Sequence, residues 1–149
     1  MNKLALSLLC LLAPLAHADA TLTEASIRAL YDDVAAAATQ RDIDATLAHM
    51  SDDVRIHISA PQGSVELDAE QYRQLLKQGW SAPDSYRMEV DIESIEIAED
   101  GQSATVRDRT RETLSMNGHE MTTGMQETAS VRLIDGTPRI VRVEATIKP

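Results

Sequence analysis

Ser103 to Leu133 reads SATVRDRTRETLSMNGHEMTTGMQETASVRL, two long runs of alternating character on either side of Asn117-Gly118. Asn-Gly between alternating runs is the strongest short-range hairpin signal, because both central positions of a two-residue turn need φ > 0. A turn confined to those two residues sets Met116 opposite His119. The rest of the register follows: Leu114 faces Met121, Thr110 faces Met125, and Asp108 faces Glu127. One face then carries Ala104, Val106, Asp108, Thr110, Glu112, Leu114 and Met116. Against them stand Met121, Thr123, Met125, Glu127, Ala129, Val131 and Leu133. That face is apolar at both ends and acidic in the middle.

The strand before the hairpin fits the same face. Tyr86, Met88, Val90 and Ile92 alternate, whereas Ile95 and Ile97 sit in the opposite phase. One extra residue near Glu93-Ser94 restores the phase, as a β-bulge does. With a turn over Glu99 to Gln102, Ile97 meets Ala104, Ile95 meets Val106, Ile92 meets Asp108 and Met88 meets Glu112. On the other face Asp91 meets Arg109 and Glu89 meets Arg111. The stripe Arg107, Arg109, Arg111 therefore reads as an outer charge ladder with Glu93, Asp91 and Glu89 rather than an anion site. A last hairpin turns at Asp135-Gly136, and Pro138 leaves its register open. A two-residue turn puts Arg142 and Glu144 on the inner face; a longer turn puts Val141, Val143 and Ala145 there. Strands this long must bend.

Upstream, the pattern is helical. Thr21 and Glu24 fit a capping box ahead of Ile27, Leu30, Val34 and Ala38 at helical spacing. Asp42 is placed to cap a short second helix burying Ile43, Leu47 and Met50, and Val54, Ile56 and Ile58 alternate as a strand. After a turn over Ala60 to Gly63, Asp68 and Gln71 form a second capping box, with Leu67 and Tyr72 as its hydrophobic staple. Leu75, Leu76 and Trp80 are expected to face inward, and Gly79 to close that third helix in the left-handed conformation. The fold class is α+β, three N-terminal helices packed in the concave face of a strongly bent antiparallel sheet.

With 149 residues, 43% of them hydrophobic, the chain suffices for one domain with one core, expected over residues 21–149. A formal charge of −10 argues against nucleic acid or an anionic membrane surface as partner. Residues 1–20 read as a signal peptide: Lys3 gives a basic start, Leu4 to Leu15 an apolar run, and Ala16-His17-Ala18 an A-x-A cleavage site. Ala18-Asp19-Ala20 is a second such site. The mature chain is thus expected to start at Asp19 or Thr21, in the periplasm or outside the cell. The apolar run is too short to span a bilayer, so no membrane attachment is expected after cleavage. Cys10, the only cysteine, follows Leu9 rather than the small residue that a lipid anchor needs. The mature chain therefore has no thiol for a disulfide, a nucleophile or a metal.

Asp108 and Glu127, with Glu112 one inner position further along, are the candidate acid–base residues. Two carboxylates so close in an apolar wall do not both ionise cheaply, so one pKa rises toward neutrality. A raised acid beside an ionised one suits proton transfer. An inward Arg142, or water, is the alternative neutraliser. Met88, Met116, Met121 and Met125 fall on the inner face of a chain without Phe. Methionine adapts to varied ligands, although ordinary core packing is the plainer explanation. The candidate ligand-binding residues are Tyr31, Trp80, Tyr86 and Met88, together with Thr110, Met121, Thr123 and Met125 from the hairpin. His49, His57 and His119 lack metal-ligand spacing and no loop motif accompanies the carboxylates, so neither metal nor cofactor is expected.

The order of elements, with Asp52-Asp53-Val54 entering a strand, Gln78-Gly79-Trp80 at the third helix and Met116-Asn117-Gly118 at the hairpin, resembles the nuclear transport factor 2-like superfamily. The small secreted SnoaL-like bacterial members are the most similar. The resemblance covers the whole mature chain. It implies a cone-shaped, cystatin-like roll with an apolar pocket, often dimeric, in a group that holds dehydratases, isomerases, epoxide hydrolases and non-enzymatic binders. No catalytic set of those enzymes transfers: Arg107 and Asp108 are adjacent and face opposite ways, and paired pocket histidines are lacking. Tyr31 and Asp108 alone resemble the tyrosine and aspartate of the ketosteroid isomerase type. The leading expectation is a binder of a small apolar or amphipathic molecule. Its rivals are a proton-transfer enzyme (dehydratase or isomerase) using Asp108 or Glu127, and an interaction module that dimerises through the outer sheet face.

Overall fold

Asn117 and Gly118 turn the chain with φ of 51° and 78°, and the hairpin register is the expected one from Met116↔His119 to Asp108↔Glu127 and beyond. Its strands are β4 (Ser103–Met116) and β5 (His119–Ile134) of a computed structural model that describes residues 20–148. All but Ala20 of the expected signal segment lies outside those residues. The other elements are α1 (Glu24–Thr39), α2 (Ile43–Ala48), β1 (Met50–Ala60), β2 (Gly63–Leu67), α3 (Ala69–Ser81), β3 (Ser85–Ile97) and β6 (Thr137–Ile147). One six-stranded sheet runs in the order β2-β1-β6-β5-β4-β3, and the three helices pack on one face of it.

The β3–β4 pairing also follows the expected register, with the irregularity between Ile92 and Ser94. That bulge changes the outer ladder in detail. Arg107 lies opposite Ser94, and Arg109 takes Glu93 as its partner while Arg111 approaches Glu89 at 4.0 Å.

Two local expectations are corrected, one strand is added and one pairing runs parallel. The α1 box is built two residues later: Thr23 Oγ1 accepts from the Ser26 amide at 3.1 Å and Ser26 Oγ accepts from the Thr23 amide at 3.0 Å. Thr21 and Glu24 do not form it, because the preceding chain is extended and the Leu22 amide donates to the Gly101 carbonyl at 2.8 Å. Gly79 is an interior residue of α3, which ends at Ala82 in a right-handed conformation. β2 escapes the reading because it is a short edge strand whose burial does not alternate, so no inside–outside pattern marks it. Finally, β1 and β6 pair in parallel, the one such pair in the otherwise antiparallel sheet of the described residues. The helices and β2 intervene between β1 and the meander, so no hairpin constrains their direction.

The last hairpin combines the two alternatives. The turn at Asp135-Gly136 holds two residues, with Ile134↔Thr137, yet the register shifts between Ser130 and Val131 so that Ser130 meets Arg142 and Ala129 meets Val143. Val141 is the extra residue. Ile140, Val143 and Ala145 are therefore buried, while Arg142 faces outward and binds Glu144 at 2.9 Å.

Burial divides the interior along the strands. Leu22, Ile27, Leu30, Val54, Ala104, Val106 and Val131 close one end, with Ile27, Val54, Val106 and Val131 fully buried. Trp80, Tyr86, Leu76 and Ala38 form a second cluster at the other. Arg41, with φ of 57° at the α1–α2 turn, ties that end down by donating to the Pro83 carbonyl at 2.7 Å.

Gly101 anchors the closed end. Its φ is +67°, and a Cβ there meets Thr21 Cβ at 2.8 Å. Left-handed strain and that contact together make Gly101→Ala cost about 1–3 kcal/mol. A urea-denaturation midpoint equal to that of the wild type contradicts this account.

Candidate functional site

The acidic pair lies at the boundary between the two ends. Along β4 the inner face reads Ala104, Val106, Asp108, Thr110, Glu112, and along β5 it reads Val131, Ala129, Glu127, Met125. Packed aliphatic residues lie on one side of Asp108 and Glu127. On the other is a cavity of about 300 Å³, at the lower end of ligand-site volumes, which run roughly 300–1,000 Å³. Larger depressions between α2, β1 and α3, and beside the β3–β4 turn, are charged surface hollows lined by residues such as Asp44 and Arg73, or Asp100 and Arg132.

Asp108 is completely buried. Thr110 Oγ1 donates to its Oδ1 at 3.1 Å, while its Oδ2 and the Tyr31 hydroxyl are buried with no hydrogen-bond partner among the described residues. Burial pushes the Asp108 carboxyl up to about 6, against the pull of the Thr110 and Tyr31 hydroxyls. Glu127 is pushed up to about 8, first by burial and then by the negative charges of Asp108 and Glu112. Burial, more than mutual repulsion, raises both carboxyls above the ordinary carboxylate range, and only Glu127 is raised by the other's charge. The outward Arg142 does not neutralise them.

Around this floor stand the aromatic residues. The chain holds one Trp, three Tyr and no Phe, and Tyr31, Tyr72, Trp80 and Tyr86 all line the cavity. Trp80 and Tyr86 are tilted at 52° with centroids 5.4 Å apart. The Tyr86 hydroxyl donates to Glu112 Oε1 at 2.7 Å. Burial, followed by the neighbouring acids, raises the pKa of all three phenols, so they remain neutral donors. Leu75 lines the cavity while 44% exposed and marks its mouth beside Gly79, where the missing side chain leaves open space.

Of the residues singled out in the sequence, Tyr31, Trp80, Tyr86, Met88, Thr110, Glu112, Met125 and Glu127 line the cavity. Asp108 lies beneath them. Met121 and Thr123 do not reach it: β4 and β5 run past the cavity toward the Asn-Gly turn, where Met121 is 59% exposed and Met116 is exposed as well. Shared phase is not shared depth, and the methionine lining reduces to Met50, Met88 and Met125. Tyr72, a staple in the sequence pattern, also lines the cavity. Its spacing from Leu76 and Trp80, four and eight residues on, is the signal that puts all three on one face of α3. Among the described residues no group of three His, Cys, Asp or Glu is placed to hold a metal ion.

A curved sheet closed at one end by aliphatic packing and open at the other over an acid-floored cavity defines a class of fold. The chain belongs to the SnoaL-like domain family, which it matches over residues 27–144 and whose fold is nuclear transport factor 2-like. No curated protein matches the chain in sequence. Among solved structures it is similar to a ketosteroid isomerase-like protein from Erwinia carotovora atroseptica, at 20% identity and a TM-score of 0.65, covering 84% of this chain and 96% of that one. A hexachlorocyclohexane dehydrochlorinase (LinA) Type2 aligns at 13% identity and TM-score 0.69, over 84% of each chain. A cystatin-like domain of unknown function from Nostoc punctiforme aligns at 18% identity and TM-score 0.69, over 86% and 80%.

Proposed function

We propose that this protein binds a small, largely apolar molecule in the cavity between α1, α3 and the sheet, with its polar group against the carboxylates. One observation carries the reading: a chain with four aromatic residues places all four around a single cavity. Aromatic side chains bury large areas and would ordinarily serve the packed core. Here Tyr31 also packs in the main cluster and Trp80 and Tyr86 in a second one, yet all four present a surface to the same hollow. The sequence pattern of residues 1–20 supports export, so the binder works in the periplasm or outside the cell.

Native mass spectrometry of protein isolated from its own compartment tests both parts. The expected spectrum shows a chain beginning at Asp19 or Thr21 and carrying a reproducible small-molecule adduct. Met125→Trp, which fills the cavity, is expected to lose that adduct. Apo protein in every preparation overturns the binding reading.

A second reading is proton-transfer catalysis of the dehydratase or isomerase kind, favoured by the unequal acids Asp108 and Glu127 and by the isomerase-like and dehydrochlorinase names among the structural neighbours. Under it, the identified adduct is turned over and Asp108→Asn stops turnover. Under the first it is released unchanged.

A further inference from the structure

We propose that the cavity takes an organic ammonium ion, a positively charged nitrogen on an apolar body, held between the Glu112 and Glu127 carboxylates and the rings of Tyr72, Trp80 and Tyr86. The proposal rests on the reading of the cavity as a ligand site and adds the charge of its occupant.

The lining is one-sided in charge. Among the described residues, Glu112 and Glu127 are its only ionisable acids or bases besides the tyrosines, and no lysine, arginine or histidine lines it. Asp108 adds a third carboxylate directly beneath; the Tyr31 hydroxyl is near enough to lower its pKa, and among the described residues neither that hydroxyl nor Asp108 Oδ2 completes a hydrogen bond. The nearest arginines on β4 and β6 point away: Arg109 and Arg111 are on the outer face with Glu93 and Glu89, and Arg142 is with Glu144. Arg41, at the α1–α2 turn beside Trp80, gives its guanidinium to the Trp80 and Pro83 carbonyls, so among the described residues no cation stands against the buried acids. A neutral ligand without a hydrogen-bond donor displaces water from whichever of these carboxylates is ionised and offers it no partner, which favours the protonated form. An anion is repelled. A cation compensates them in a low-dielectric space where the attraction is strong.

The aromatic set points the same way. The negative π-face of Trp is the best of the side chains for an alkylammonium, with Tyr next, at distances up to about 6 Å from the ring centre. Trp80 and Tyr86 are inclined toward each other rather than stacked flat, which presents two ring surfaces to one space. The Tyr86 hydroxyl holds Glu112 by its Oε1, fixing one carboxylate beside those rings. Small polar donors that would recognise a carbonyl or phosphate are scarce in the lining, where among the described residues Thr110 is the only hydroxyl outside the tyrosines. The surrounding net charge of −10 favours arrival of a cation over an anion.

The groups facing Glu127 are Asp108 and Glu112 from β4, Tyr31 from α1 and Tyr72 from α3, and none of them is basic. Cation binding therefore strengthens as Glu127 gives up its proton.

Trp80 is the sole tryptophan, so its fluorescence reports this cavity alone. The test is a titration with benzyltrimethylammonium and, separately, with its uncharged carbon isostere neopentylbenzene, in mildly alkaline buffer where Glu127 is ionised. The expected result is a saturable change for the cation with a dissociation constant at least about tenfold below that of the isostere. Glu127→Gln and Glu112→Gln are each expected to weaken the cation about tenfold while leaving the isostere within about twofold. If one variant fails to fold, the other carries the comparison; glutamine at 112 still accepts from Tyr86. Equal or tighter binding of the isostere overturns the charge proposal and leaves the cavity reading standing. Cation binding that ignores both substitutions overturns it as well. No response of Trp80 to either molecule overturns both readings.

Discussion

Glu127→Gln makes the protein more stable than the wild type above pH 8 and leaves it nearly unchanged near pH 4. The sign follows from proton linkage. The folded-state pKa of Glu127 is raised from 4.5 to about 8, so between those values the native state binds more protons than the unfolded one. Stability is then fully present below about pH 4.5 and is lost as pH rises through about 8. Asp108, raised from 3.8 to about 6, adds a loss of the same sign over the lower half of that window. A tenfold change in proton affinity corresponds to about 1.4 kcal/mol. Water at the mouth screens part of the effect, so the gain from Glu127→Gln at high pH is about 1–3 kcal/mol. Part of it comes through Asp108, whose charge raises Glu127 and which ionises more easily beside an amide. Urea midpoints at a series of pH values read this directly. Parallel profiles for wild type and variant show that Glu127 does not titrate inside the cavity as described. A bound organic cation works in the opposite direction, and the wild-type profile flattens in its presence.

That pair was legible in the sequence because hairpin register is set locally. Asn117-Gly118 fixes the turn, and the period of two carries the phase nine residues along each strand to Asp108 and Glu127. The bulge at Glu93 was legible for the same reason: Ile92 and Ile95 cannot share a face unless one residue is skipped. Val141 plays the same part in β6, but Ile140, Val141 and Val143 are all apolar, so the pattern does not say which one is extra. Only the partner strand, with Ala129 and Val131 already placed, resolves it. The parallel β1–β6 contact joins residues about ninety apart and leaves no mark on either strand. Depth was the harder quantity. Met121 and Thr123 have the right phase, and Met121 is exposed because the hairpin outruns the helices covering it. Tyr72 was placed at a helix start without being connected to the cavity, although its fellow aromatics at 31, 80 and 86 were.

The division of the interior into a closed aliphatic end and a hollow aromatic end has an energetic consequence. Ile27 is fully buried on α1 against the closed end, and Leu76 is 8% exposed on α3 and lines the cavity. Truncating a buried aliphatic residue to alanine costs the lost transfer free energy plus a term for the new void, together about 2–5 kcal/mol. Ile27→Ala incurs both terms, since Val54, Val106 and Val131 are strands' residues that cannot collapse onto it, and an effect of about 3–4 kcal/mol is expected. Leu76 already faces space on one side and makes fewer contacts there, so Leu76→Ala enlarges an existing cavity and is expected to cost about 1–2 kcal/mol. Ligand affinity should order the other way, with Leu76→Ala altering it and Ile27→Ala leaving it intact wherever the variant is folded. Denaturation midpoints and ligand titrations of the two variants decide the matter. Equal stability costs would mean that the cavity wall is packed as tightly as the closed end, and the hollow that separates binding from stability in this fold would have no energetic reality.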